Sequence, residues 1–129
     1  MVSGSNYFLA EAVIFPVFGV VIWLLMSGVA HTASRLAGIQ SNFDVVLNIV
    51  GMGLVTPMVV VWAWDLLMIT VGTYTVVVMA VSHTLAQTWE ATVETIGFRR
   101  LAGYSWRTAV SLAIAVNLVY IGIAAVLVR

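Results

Sequence analysis

Apolar residues fill this chain in long runs, and the polar residues collect between the runs instead of alternating within them. A helix of about 20 apolar residues crosses the roughly 30 Å hydrocarbon layer of a bilayer, so run length is the first quantity to read. The first run covers 7–33, with Glu11 and Pro16 in its opening turns. A polar link over 36–43 follows, in which Ser41 or Asn42 is suited to cap the next helix. The second run, 43–64, contains Gly51, Gly53 and Pro57. Trp62, Trp64 and Asp65 mark its outer boundary, because Trp favours the interface and a carboxylate avoids hydrocarbon.

Residues 66–71 admit three readings: they prolong the second span, lie in the interface, or begin the third. The third run is 73–89. Beyond Trp89, Glu90 and Glu94 stand one turn apart with no breaker, which predicts a helix leaving the membrane and stopping near Gly97. Ser105 is a good N-cap for a last helix over 106–127. The pattern predicts an all-α fold, a polytopic transmembrane helical bundle in one domain (1–129), with about four spans. Three spans remain if the second and third runs divide differently.

Composition sharpens the class. Of 129 residues, 63% are hydrophobic and 8% charged, against about 45–50% and about 25% in soluble domains. A small soluble fold leaves too much of its surface in water to hide that apolar area. Five arginines balance five acidic residues, and no basic cluster exists to meet phosphate, so nucleic acid is not an expected partner. Cysteine is absent, which removes disulfides, thiolate nucleophiles and cysteine metal sites. Residues 1–10 carry no basic side chain, so the first run reads as a retained span and not as a cleaved leader. Arg35, Arg99, Arg100 and Arg107 fall on one side of a four-span arrangement. The positive-inside rule makes that side cytoplasmic and places both termini outside.

Few residues are available for chemistry. His31 and His83 are the only histidines, and a histidine pair on two helices would hold haem or a metal. Their expected depths differ, which favours interfacial or packing roles for both. Glu90 and Glu94 share a helix face, but two carboxylates without a histidine are a weak metal signal. They are expected at a solvated helix end, pairing with Arg99 or Arg100. Asp44, Asp65 and Glu11 sit at span ends, so transport by titratable groups finds little support. Asn48 and Asn117 are placed to bond across helices, and Gly51, Gly53 and Pro57 to let helices pack closely. No phosphate loop, catalytic triad or zinc-protease motif is found, so no catalytic residue, metal or cofactor is assigned.

The connections carry a resemblance. His31-Thr-Ala-Ser-Arg35-Leu-Ala-Gly38, then Ser41-Asn-Phe43 leading through Asn48 and Gly51 to Pro57, resembles the middle of the Yip family of Ypt/Rab-interacting membrane proteins. Gly97-Phe-Arg99 and Gly103-Tyr-Ser-Trp-Arg107-Thr-Ala109 are similar to its second signature. The likeness covers about residues 28–128. It departs in having about four spans where the family usually has five, in lacking a cytoplasmic N-terminal region, and in placing Met52 where an aromatic is usual. The resemblance implies a non-enzymatic membrane protein. GTPase binding is not carried over without the N-terminal region.

The expected function is therefore that of a structural or accessory subunit in the bilayer, acting through helix association with other membrane subunits or with itself. The compact, arginine-only sequence suggests the cell membrane of a prokaryote. The alternatives are a haem-holding anchor of a redox complex, with His31 or His83 as ligand, and, third, a small transporter.

Overall fold

A computed structural model describes residues 4–127 of the chain, with side chains described for 17–123. Four helices account for nearly all of it: α1 Gly4–Leu36, α2 Phe43–Thr70, α3 Val76–Arg100 and α4 Trp106–Leu127. Three of them contain segments long and apolar enough to cross a membrane: Val17–Leu36, Phe43–Thr70 and Trp106–Ile123. The fold is an all-α bundle of membrane character. α3 is also long, about 37 Å by helical rise, but its sequence is more polar.

Each short link carries a glycine at positive φ within three residues of the helix end: Gly38 at 73°, Gly72 at 71° and Gly103 at 71°. That left-handed position reverses the chain just past a helix end and returns N–H groups to the last carbonyls. Ile39 N–H donates to the Ser34 carbonyl at 3.0 Å, and Thr73 N–H to that of Met68 at 2.9 Å. Capping side chains then restart the helices. Asn42 Oδ1 accepts from Asp44 N–H at 2.9 Å, Thr75 Oγ1 from Val78 N–H, and Ser105 Oγ from Thr108 N–H, both at 3.2 Å.

Short links force neighbouring helices antiparallel, and the four close into a ring. α1 packs on α2 and α4, and α3 packs on α2 and α4, with no diagonal helix pair in close backbone approach among the described residues. Arg35, Arg99, Arg100 and Arg107 consequently gather at one end, with the α1–α2 and α3–α4 links. The α2–α3 link lies at the other.

Three helix limits differ from the sequence reading. The 66–71 segment continues α2 to Thr70, with Val71 as its C-cap, so Trp62 and Trp64 do not end the helix. α3 starts at Val76, behind the Thr75 cap, and not at Thr73. It also runs through Gly97 to Arg100. Gly97 lies inside the helix for packing, since a Cβ there would stand 2.7 Å from Ile49 Cγ2. Glu11 and Pro16 lie outside the residues whose side chains are described.

The buried core sits toward the arginine end. Ile22, Met26 and Ala30 of α1 meet Val46, Ile49 and Val50 of α2, Phe98 of α3, and Ala109, Leu112 and Val116 of α4. Tyr104, in the α3–α4 link, stacks on Phe98 with ring centres 5.9 Å apart. Gly51 admits a closer contact. Trp23 of α1 lies against it and donates its indole N–H to the Leu47 carbonyl at 2.8 Å, bonding α1 to α2.

Candidate functional site

The least expected feature of the bundle is where it puts its carboxylates. Glu90 is 3% exposed and Glu94 0%. They do not form a solvated helix end, and among the described residues neither pairs with an arginine. Arg99 instead donates Nη1–H to the Tyr104 carbonyl at 3.2 Å. The reason is register. From residue 90 to the end of α3 at residue 100 is about 15 Å of rise, which places Glu90 near the middle of the helix and not at its tip. Glu90, Glu94 and Phe98 recur every fourth residue and make up the face that α3 turns inward.

Glycine makes room for this face. A Cβ on Gly53 of α2 would stand 2.6 Å from Glu94 Cγ and 3.4 Å from Glu94 Oε1, so only glycine lets the carboxyl group lie against α2. Four residues on, Pro57 has no N–H to return to the Gly53 carbonyl, which frees an acceptor on the same stretch of α2. On the other side, Asn117 of α4 donates Nδ2–H to Glu94 Oε2 at 3.1 Å and to the Ala113 carbonyl at 3.0 Å. Asn117 is 7% exposed and stands midway along α4. Gln87 donates Nε2–H to Glu90 Oε2 at 3.4 Å. Four oxygens of the cluster are buried without a hydrogen-bond partner among the described residues: Glu90 Oε1, Glu94 Oε1, Gln87 Oε1 and Asn117 Oδ1. Each such orphan costs about 1–3 kcal/mol in an apolar interior, a large outlay for a purely structural contact.

A cavity of about 470 Å³ adjoins the cluster. Phe18, Gly19 and Ile22 of α1, Leu54, Pro57 and Trp62 of α2, and Tyr120 of α4 wall it, and Gln87 and Glu90 supply its polar side. His83 also lines it while half exposed, which puts this histidine on the rim. The cavity thus extends from Glu90 toward the end of the bundle opposite the arginines. His83 Nδ1 lies 2.9 Å from the Met79 carbonyl and its Nε2 3.8 Å from Asp65 Oδ2.

The other sequence candidates separate. His31 Nδ1 lies 2.9 Å from Ser41 Oγ, with its ring edge-on to Phe43 at the start of α2. His83 meets α2 at Asp65. From residue 43 to 65 is about 33 Å of helix rise, so the two histidines cannot ligate one haem or one metal. Asn48 does not reach across helices: it is exposed and donates to the Asp44 carbonyl of its own helix at 2.9 Å. Gly51 and Gly53 stand at close helix contacts, and Pro57 is buried. Gln87 and Trp23 carried no signal in the sequence. An inward-facing period of four through Glu90, Glu94 and Phe98 was the one cue to the carboxylates.

Among the described residues no group of three or more His, Cys, Asp or Glu side chains converges to hold a metal ion. Comparison with family models, with characterised proteins and with solved structures yields no match. The Yip resemblance therefore rests on the quoted residues alone.

Proposed function

We propose that this chain is a small helical membrane protein that takes up and releases a small cation, the proton included, at the Glu90–Glu94 centre. One observation carries the reading. Two carboxyl groups lie buried near mid-bundle with oxygens unpartnered among the described residues, and a cavity lined by His83 and Trp62 adjoins one of them on the side away from the arginines. Ionisable side chains at bilayer depth are expensive and mark ion and proton pathways. Structural hydrogen bonding alone would be served by a glutamine at either position, without the risk of a buried charge. With the arginine end cytoplasmic by the positive-inside rule, the cavity lies on the outward side of the carboxylates in the cell membrane of a prokaryote.

The test is flux across vesicles containing the purified protein, followed with an internal pH dye and, separately, with a sodium dye. Cation movement that falls at least about tenfold in Glu90→Gln and Glu94→Gln supports the reading. Wild-type vesicles as tight as empty ones to both ions, under gradients of either sign, would sink it.

A second reading has its own observation. Thr84, Thr88 and Thr92 form an exposed stripe along α3, each bonding only to a carbonyl one turn back in its own helix. A polar stripe on the outside of a membrane bundle suits contact with another helix. This favours an accessory subunit, bound to other membrane subunits or to a second copy, and the two readings are compatible. Recovery of a monomer without companions from gentle detergent would remove it. The Yip resemblance supplies no residue to either reading.

A further inference from the structure

The identity of the cation follows from the way the four unpartnered oxygens are distributed, given that the Glu90–Glu94 centre is the cation site proposed above. They fall into two pairs of the same kind. Glu94 accepts one bond from the Asn117 amide, and the other carboxyl oxygen, Glu94 Oε1, and the amide's only oxygen, Asn117 Oδ1, are unpartnered among the described residues. Glu90 accepts one bond from the Gln87 amide, and again the other carboxyl oxygen, Glu90 Oε1, and the amide oxygen, Gln87 Oε1, are unpartnered. A carboxylic acid and a primary amide complement each other through two bonds, amide N–H to acid carbonyl and acid O–H to amide carbonyl. In both pairs the amide N–H bond is made, and the oxygens left over, one on the acid and one on the amide, are both acceptors unless the acid carries a proton.

The orientation of Asn117 does not depend on this argument. Its other N–H donates to the Ala113 carbonyl at 3.0 Å, and exchanging its oxygen and nitrogen would set two carbonyl oxygens against each other. A divalent metal fits less well. Calcium takes six to eight oxygens and magnesium a near-ideal six, whereas the unpartnered side-chain oxygens number four, the freed Gly53 carbonyl adds one, and the neighbours on α2 are the apolar Leu54 and Pro57.

We propose that Glu94–Asn117 and Glu90–Gln87 are two carboxylic acid–carboxamide pairs, each built to hold one proton, so that the ion bound at this centre is the proton. On loading, an O–H bond forms at Oε1 of each glutamate with a proton delivered by water in the cavity, and release reverses it. Other titratable groups facing the centre are few among the described residues. Tyr120 of α4 and His83 of α3 line the cavity beside Glu90, and Asp65 of α2 stands behind His83 at the rim. The facing stretches of α1 (Phe18, Gly19, Ile22) and α2 (Leu54, Pro57) contribute none. Glu90, nearer the cavity, exchanges first, and Glu94 exchanges through it.

Infrared difference spectroscopy of the full-length protein in lipid vesicles tests this directly, because a protonated carboxyl group has a carbonyl band apart from the amide and carboxylate bands. The expected result at neutral pH is such a band in the wild type, shifted in heavy water. It loses one component in Glu94→Gln and disappears in the double variant Glu90→Gln/Glu94→Gln. Asn117→Leu should move the Glu94 component without abolishing it, a change that loss of structure would not mimic. Carboxylate bands alone, changing on addition of sodium or magnesium chloride, would overturn the proton assignment and leave the cation reading standing. Carboxylate bands indifferent to protons and to both salts would overturn both. The wild-type spectrum decides among these outcomes even where a variant fails to fold.

Discussion

Gly53→Ala probes the contact on which the buried centre depends. The added methyl would stand 2.6 Å from Glu94 Cγ, well inside van der Waals separation, and α2 and α3 are held together by packing on both sides of this point. Ile49 against Gly97 lies toward the arginine end, and Asp65 against His83 toward the other. Backbone movement is therefore resisted, and the glutamate side chain must yield. Overpacking of this kind costs about 1–3 kcal/mol. Displacing the carboxyl group from Asn117 adds about 0.5–1.5 kcal/mol for a lost hydrogen bond. The expected loss is about 2–4 kcal/mol, large against the roughly 5–15 kcal/mol that holds a typical domain folded. Reversible unfolding in mixed micelles, titrated with a denaturing detergent, reads it. Two controls isolate the cause. Gly28→Ala, with nothing within 4 Å of its Cβ, should be neutral or stabilising by up to about 1 kcal/mol through helix propensity. In a Glu94→Ala background, which has no Cγ to collide with, Gly53→Ala should lose most of its penalty, a coupling of more than about 1 kcal/mol. A Gly53→Ala protein within about 0.5 kcal/mol of wild type, or an equal penalty in both backgrounds, would refute the packing argument.

Further predictions follow from the same packing. Asn117→Ala removes the donor to Glu94 and should destabilise by about 1–3 kcal/mol in the same assay; no change would mean that the carboxyl group finds another partner. Phe98→Ala empties a fully buried site against Tyr104 and should cost about 3–5 kcal/mol, among the largest single losses in the bundle. Trp23→Phe deletes the bond to the Leu47 carbonyl and part of the indole that lies against Gly51, for about 1–3 kcal/mol. Because the chain has no native cysteine, single cysteines report topology cleanly. Gln40→Cys and Ser105→Cys should react with an impermeant thiol reagent from one side of the membrane, and Thr73→Cys from the other. Labelling of Gln40→Cys and Thr73→Cys from the same side would contradict the alternating arrangement.

Much of the architecture was legible in the chain, for a physical reason. Hydrocarbon demands long apolar runs with every backbone bond satisfied internally, so run length announces helices, and glycine and capping residues announce where they turn. Gly38, Gly103, Asn42 and Ser105 could be read this way because their effects are local. The limits of α2 and α3 could not: Trp62, Asp65 and Gly97 are ordinary end markers, yet all three lie inside helices, and Gly97 is held there against Ile49 of α2. The carboxylates mark the same boundary more sharply. Glu90 and Glu94, one turn apart beside two arginines, satisfy every local rule for a solvated helix end. Only the ring of four helices turns that face inward, sets Gly53 against Glu94, and brings Asn117 across from α4 to meet it. Asn48 shows the converse, an amide of the same kind, nearer the arginine end, that the helix rotation turns outward to its own backbone. Sequence alone thus determined that the chain forms membrane-type helices and roughly where they reverse, because those depend on neighbours within one or two turns. Which polar groups lie between the helices was decided by helix rotation and register, properties of the packed ring that no single segment contains.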